Sequence, residues 1–375
     1  MIDAKILEPG LLTTIQDSGR NGYYSVGIPN SGAVDTFSAN IANMLVNNSL
    51  EAPLLEITMT GPKIEFLKET EIAITGASVQ PMINDTPVQM WQTLIIKNND
   101  ILSFGEIKNG FRIYIAIKNG LLVKPILGSS STYLPGKWGG HEGRALTSGD
   151  ALYYPNLKKN KEIDLFFFPE KLIPKYINKL IVRVIMGPDE KHFSDQTLKN
   201  FFSSSYKITP LSNRIGIRLQ GEKITHLNTK DIISDGTNYG SIQVPSDGQP
   251  IILLNDRGTT GGYPIIATII SADQPLIAQA KPDTEMQFKE TNLAVAYEEY
   301  KNLKSNIIKV QKISTNNRLF AFNYYLNEHK PKQTFIEFND KNNVLINNIP
   351  WRKMPFKKNF KINDFSYEIN IEYTK

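Results

Sequence analysis

Apolar and polar positions alternate with a period of two through most of the chain. The segments Lys63–Phe66, Glu71–Ile74, Thr93–Ile96, Phe111–Ile117, Ile181–Met186, Ile251–Leu254 and Ile265–Ile270 therefore read as strands. Turn chemistry separates them at Asn84-Asp85, Asn98-Asn99-Asp100, Asn119-Gly120, Gly187-Pro188, Asp235-Gly236 and Asp247-Gly248. Strands this short and frequent predict sandwiched or closed antiparallel sheets rather than βαβ units. Helical spacing is rare. It follows Asp35, an N-cap, through Phe37, Ile41, Met44 and Leu45, and Asn47-Asn48 can end that helix. A second helix starts at Ser194, with Phe193 and Leu198 placed as a hydrophobic staple and Phe201 and Phe202 continuing the stripe. A third covers Leu293–Leu303.

Pro169, Pro174 and nearby charges suggest a boundary near residues 169–180. The predicted layout is a first β subdomain over 1–175, a second over 176–305 and an accessory β extension over 306–375. The phrases Asn99–Phe104 and Pro282–Phe288 resemble each other and hint at a duplicated β unit. In the extension, Thr334–Phe338 and Val344–Ile346 flank a turn at Asp340–Asn343 and read as a hairpin, and Phe365–Tyr373 alternates as an amphipathic strand.

Composition narrows the function classes. Cysteine is absent, which excludes disulfides, thiolate metal sites and cysteine nucleophiles. The amino terminus has no basic region followed by an apolar one, and no apolar run approaches bilayer length, so a soluble cytoplasmic chain is expected, without membrane association. From residue 301 onward 14 Lys+Arg face 6 Asp+Glu, against a whole-chain net charge of +5, so the basic excess belongs to the tail. No nucleic-acid-binding motif accompanies it, and a solvated face is the plainer reading. There is no Walker A loop, no GxGxxG, no HExxH and no GxSxG. The four histidines are scattered, so no metal site is expected, and any ATP would act through a partner.

The densest polar segment runs from Asp235 to Pro264. Asp235, Gln243, Asp247, Gln249, Asp256, Arg257, Thr259, Thr260, Gly261, Gly262 and Tyr263 bracket one short apolar strand. A strand end that emits Asp-Arg and then a Gly-Gly turn can aim side chains and amides at one point. Arg257 could fork onto a carboxylate or phosphate, with Asp235, Asp247 or Asp256 as proton acceptor. The competing reading is a hairpin whose Asp and Thr satisfy turn amides. Two further clusters read as loops or as ligand cradles. One is Thr13–Arg20 leading to the helix at Asp35, where amides favour anions. The other is Gly128–Tyr133, with Ser131 and Thr132, leading to Arg144. Asn213-Arg214 completes the set.

In order, the strings PGLLTTIQDSGRNGY, GIPNSGAVD, GSSSTYLPGKWGGHEGRAL, SNRIGIRLQG, GSIQVPSDGQPIILLNDRGTTGGYPIIA and IAQAKPDTEMQF resemble the biotin-dependent carboxyltransferase family, also described as allophanate hydrolase subunit 2. That family includes the C-type component of bacterial 5-oxoprolinase and the antagonist of the sporulation kinase inhibitor. The resemblance implies tandem cyclophilin-like β-barrels and a mainly β fold. It also implies obligate partners: a cyclophilin-like protein of the 5-oxoprolinase B type and a LamB-type protein, its A-type component, with the active site where the chains meet. The expected activity is ATP-dependent opening of 5-oxoproline, a small anionic substrate. In those terms Arg257, Thr260 and the Gly261-Gly262 amides would stabilise an oxyanion, Arg20 or Arg214 would clamp the carboxylate, and Asp235 or Asp247 would be the base. The alternatives are carboxyl transfer to urea from carboxybiotin carried on a partner, and a non-enzymatic binder that regulates a kinase. No biotin-acceptor Met-Lys sequence is present, so no group is expected to be covalently held. Two positions depart from the family: Gly258 stands where Gln is usual, and Ser130 where many members carry Arg, which removes a possible anion clamp.

Overall fold

The structure, a computed structural model, describes residues 2–157, 165–227 and 232–316, together with the backbone of four strands between 335 and 370. Contacts group the chain into two compact units, residues 1–316 and 317–375.

In the first half the apolar alternation is realised as β1 (Ala4–Glu8), β2 (Leu12–Gln16), β3 (Leu54–Thr58), β4 (Lys63–Phe66), β5 (Thr70–Ser78), β6 (Pro81–Ile83), β7 (Thr86–Pro87), β8 (Thr93–Ile96), β9 (Asp100–Phe104), β10 (Asn109–Ile117) and β11 (Ala151–Leu152). They form a six-stranded sheet in the order β11-β1-β4-β9-β6-β7 and a five-stranded sheet in the order β2-β3-β10-β5-β8. One face of each sheet feeds a common core, in which Ile6, Ile57, Phe66, Ile74, Leu102 and Ile113 are fully buried. Each such side chain contributes roughly 1.5–3 kcal/mol of burial free energy. The other face of the five-stranded sheet is covered by α1 (Thr36–Leu45), through Phe37, Ile41 and Leu45. Asp35 caps this helix, accepting from Ser38 N at 3.0 Å. Asn47, at φ +53°, turns the chain away at its end.

The second half contains β12 (Lys179–Met186), α2 (Asp195–Ser203), β13 (Tyr206–Ile208), β14 (Gly216–Gln220), β15 (Asp235–Gly236), β16 (Ser241–Gln243), β17 (Ile251–Leu253), β18 (Thr260–Gly261), β19 (Ile265–Ile269), α3 (Gln274–Ala278), β20 (Glu285–Glu290) and α4 (Leu293–Asn316). Seven of these strands close a barrel, β12-β19-β16-β17-β14-β13-β20, completed by the parallel pair β12 and β20. β15 and β18 form a separate two-stranded ribbon. α2 begins at Ser194, which accepts from Thr197 N at 3.1 Å, and Phe193, Leu198, Phe201 and Phe202 all join the barrel core. Closure is thus found in the second half, whereas the first half meets the barrel expectation as two facing sheets. The chain is mainly β, with four α-helices among the described residues.

The two similar phrases adopt the same turn. Asp100 N donates to Lys97 O at 3.2 Å with Asn99 at φ +66°, and Thr284 N donates to Lys281 O at 3.1 Å with Asp283 at φ +70°. Each turn launches a strand, β9 or β20.

In the second unit, β21 (Phe335–Phe338) pairs with β22 (Val344–Asn347), the expected hairpin, although its turn at Asp340–Asn343 lies outside the described residues. β23 (Lys357–Ile362) pairs with β24 (Phe365–Asn370), supplying a partner for the amphipathic strand that the alternation alone did not identify.

Candidate functional site

The two halves of residues 1–316 meet along a buried polar seam. Glu56 interrupts the apolar strand β3 and is 1% exposed. Its Oε2 accepts from Tyr114 Oη and from Val34 N, each at 2.8 Å, and its Oε1 accepts from Arg214 Nη1 of the second half. Arg214 donates through Nε to Asp256 Oδ2 at 2.9 Å and through Nη2 to Gly32 O at 2.7 Å. Burial draws the Arg214 guanidinium down, but Asp256 and Glu56 outweigh it and its pKa is raised. Gln279, just beyond α3, adds a second tie. Its Oε1 accepts from Phe111 N and Arg112 N at 2.9 Å, while its Nε2 donates to Asp35 Oδ2 at 2.7 Å. Val34 completes the joint by entering the barrel core.

Two first-half loops lie against this seam. Asp17 organises both of them. Its Oδ1 accepts from Ser129 Oγ at 2.6 Å, Ser131 Oγ at 2.5 Å and Gly19 N at 2.8 Å, and its Oδ2 accepts from Ser130 N at 2.5 Å. The Gly128–Ser131 loop therefore already holds an internal carboxylate where a Gly/Ser cradle would hold an external anion. Thr132 Oγ1 donates to Ile15 O at 3.0 Å. Arg20, 1% exposed, stacks 4.2 Å from the Trp138 ring centroid and donates to Ser131 O and Ile126 O.

The polar segment of the second half is divided by the barrel. Asn255, Asp256 and Arg257 leave β17 at the end that meets the first half. The chain then runs back past the ribbon of β15 and β18 to enter β19 beside Gln243, at the barrel's other end. Asp247 and Gln249 precede β17 and so lie at the end opposite Arg257. Asp247 accepts from Gln249 N at 3.0 Å, and Gln249 brackets the Gly221 backbone at 2.9 and 3.2 Å. Asp235 is exposed on the ribbon and accepts from Gly236 N at 2.6 Å. Thr260 and Tyr263 are exposed, Gly261 and Gly262 partly so, and Gln243 donates to Tyr263 O at 3.2 Å. Thr259 is buried and its carbonyl accepts from Thr237 N. Asn213 accepts from Ile215 N at 2.8 Å within a turn. Arg144 is taken up by Asp150, at 2.6 and 2.9 Å, and by Glu142. The proposed base positions, Asp235 and Asp247, are thus not brought beside Arg257 by the strand register. The carboxylate nearest to Arg257 in sequence, Asp256, does lie in the seam, where it is held by Arg214.

Two arginines stand out by what they lack. Arg20 and Arg257 are 1% and 4% exposed, form no ion pair among the described residues, and leave Nη1 and Nε respectively without a partner. Burial lowers both pKa values, against the opposing pull of Asp17 and Asp256 on Arg20 and of Tyr24 on Arg257. Asp17 and Asp256 are already occupied, by amides and hydroxyls and by Arg214. Unpaired buried charge costs several kcal/mol, so both guanidiniums are sites where an anion is stabilising. Ser31 Oγ and Asn255 Oδ1, in the same seam, are also buried without partners. Asn255 Nδ2 is fixed on Ser31 O, Gly32 O and Ala33 O at 2.9–3.2 Å, which orients its oxygen as a free acceptor. The set suits a small molecule with anionic oxygens and an amide N–H.

Cavities of about 110 Å³ beside Asp17 and the α1 N-terminus, and about 200 Å³ beside Lys124, His141 and Tyr153, are lined by neither Arg20 nor Arg257. The unpaired guanidiniums are the better marker, because they report an energetic cost rather than free space. Glu56, Tyr114, Gln279, Tyr24 and Trp138 are not among the residues that the sequence motifs single out as candidates. Of these, only Glu56 carried a signal of its own, a carboxylate inside an otherwise apolar strand.

Residues 26–290 match the family description "Carboxyltransferase domain, subdomain A and B". The chain is 36% identical over 296 residues to the C-type component of 5-oxoprolinase from Escherichia coli, a match covering 78% of this chain and 92% of that one. It is 33% identical over 321 residues to the urea amidolyase of Saccharomyces cerevisiae, covering 80% of this chain but 17% of that protein. The crystal structure of K. lactis urea amidolyase superposes with a TM-score of 0.77 at 30% identity, covering 82% of this chain and 20% of that one.

Proposed function

Because the chain belongs to the carboxyltransferase-domain family of subdomains A and B, we propose that it is the C-type component of a 5-oxoprolinase-type complex that opens 5-oxoproline to glutamate with ATP. The observation that carries this reading is that Arg20 and Arg257, buried without ion pairs, lie along the same seam as the fixed and unpartnered Asn255 oxygen. A lactam carboxylate presents an anion, a carbonyl that becomes an oxyanion and a ring N–H, which are the complements of Arg20, Arg257 and Asn255. Arg257 polarises the carbonyl and Arg20 holds the carboxylate. The near full-length match to the E. coli protein supports this reading over the urea enzymes, of which this chain spans only a small part. ATP would be held by a LamB-type partner or by a cyclophilin-like partner of the B type, consistent with the missing Walker A loop.

The second reading is carboxyl transfer to urea or a related amide from biotin carried on a partner. It is favoured by the superposition on K. lactis urea amidolyase. An unpaired guanidinium also suits a carboxylated cofactor, and when bound that group would supply the transferable carboxyl.

Co-expression with the partner proteins followed by an assay of ATP-dependent glutamate release from 5-oxoproline tests the proposal. Turnover is expected, and Arg257→Ala should abolish it while the partners still co-purify. Carboxylation of urea by the intact complex, with no glutamate released, would sink the 5-oxoprolinase reading in favour of the second.

A further inference from the structure

We propose that Tyr24 is a positioning residue that sets the Arg257 guanidinium for its anionic ligand. This rests on the reading of Arg257 as an anion-binding group. Tyr24 belongs to the first half and Arg257 to the second, yet the Tyr24 hydroxyl accepts from Arg257 Nη2 and its ring centroid lies 5.3 Å from the guanidinium carbon. Arg257 Nη1 donates to Leu254 O at 3.0 Å. With no carboxylate to fix it, the guanidinium is oriented by these two acceptors and one aromatic face. With Nη1 and Nη2 each held, Nε is the guanidinium nitrogen left with no partner. A planar fork fixed at two corners presents its third in one direction, which lowers the orientational cost of gripping a ligand.

The segment that carries Tyr24 is built to project it. Arg20 N donates to Asn30 O at 2.7 Å, closing the base of the loop, and residues 24–26 form one 3-10 turn. Gly22 and Gly27 flank the turn at φ +91° and +79°, backbone that other residues adopt only with strain, and an added Cβ at either would meet open space. These glycines are therefore required by backbone shape and not by crowding. The tip is exposed, with Val26 at 68%. The same loop root carries Arg20, so one short loop serves both unpaired guanidiniums.

The test uses the full chain, free and in its assembled complex. Phenylglyoxal labelling of Arg257, read by peptide mass spectrometry, reports the hold directly. Tyr24→Ala should raise the labelling rate about tenfold, with Tyr24→Phe intermediate because it keeps the ring and loses the hydroxyl. In the complex, Tyr24→Ala should lower kcat/KM for 5-oxoproline by about a hundredfold and Tyr24→Phe by about tenfold, with thermal midpoints near the wild-type value. In an Arg257→Lys background, Tyr24→Ala should add little further loss. Unchanged labelling in Tyr24→Ala overturns the proposal, as does faster labelling with unchanged turnover. If the wild-type complex does not turn over 5-oxoproline, the functional reading fails while the labelling still decides the hold on Arg257.

Discussion

Removing the Glu56 carboxylate would leave Arg214 Nη1, Tyr114 Oη and Val34 N without their shared acceptor in a site closed to water. Glu56→Ala should therefore cost roughly 3–5 kcal/mol, the range for breaking one side of a buried ion pair, measured by urea unfolding. A loss under about 1 kcal/mol would show that the seam relaxes around the gap. Asp150 offers a contrast near the surface. The Arg144 guanidinium foremost, then Thr147 N and His141, hold its carboxyl well below the usual range against the opposing effect of burial. A depressed folded-state pKa adds stability above the unfolded value of about 3.9, and that stability is lost as pH falls towards the folded value. Asp150→Asn should thus lower the thermal midpoint at neutral pH by the equivalent of about 1 kcal/mol, discounted for the partly exposed Arg144. The gap from wild type should narrow below about pH 4. A difference that stayed constant down to pH 2 would assign it to shape and not charge.

Strands and helices whose faces are set by period were legible before the fold was known. Lys63–Phe66 and Thr93–Ile96 appear with the expected bounds, and Asp35 and Ser194 cap the helices they were assigned. The candidate site was legible only in part, because linear density is not proximity. Asp247 and Arg257 are ten residues apart in sequence but lie at opposite ends of β17, so register separates them. Arg20 and Asp256 are far apart in sequence, yet close enough that the Asp256 charge opposes the burial that lowers the Arg20 pKa. Arg214 reads in sequence as a clamp for a substrate carboxylate, but in the fold Glu56 and Asp256 take its donors. The Gly128–Arg144 loop acts at this scale too. Gly139, at φ +74°, passes so near Ser131 that a Cβ there would overlap its carbonyl oxygen and crowd Arg20 Nη2 at 2.7 Å. Gly139→Ala should destabilise the protein by about 2–4 kcal/mol and weaken 5-oxoproline binding to the complex, read by calorimetry. Unaltered affinity would separate this loop from the site.

Residues 1–316 are expected to unfold as one body, because the Glu56–Arg214–Asp256 and Gln279–Asp35 links and Val34 in the barrel core tie the two halves together. A chain ending after Asn316 should keep a single cooperative thermal transition within a few degrees of the full chain, since 317–375 forms its own compact unit. Two resolved transitions would mean that the seam does not couple the halves. The parallel pairing of β12 with β20 has a consequence for how the molecule is made. The first and last strands of the barrel are joined directly, from Lys179↔Glu285 to Val184↔Glu290, so about a hundred residues must be synthesised before the cylinder can shut. Until β20 is added, its two neighbours, β12 and β13, present open edges. Barrel closure therefore demands a contact of high sequence separation, the kind that slows folding and leaves edges exposed while it forms.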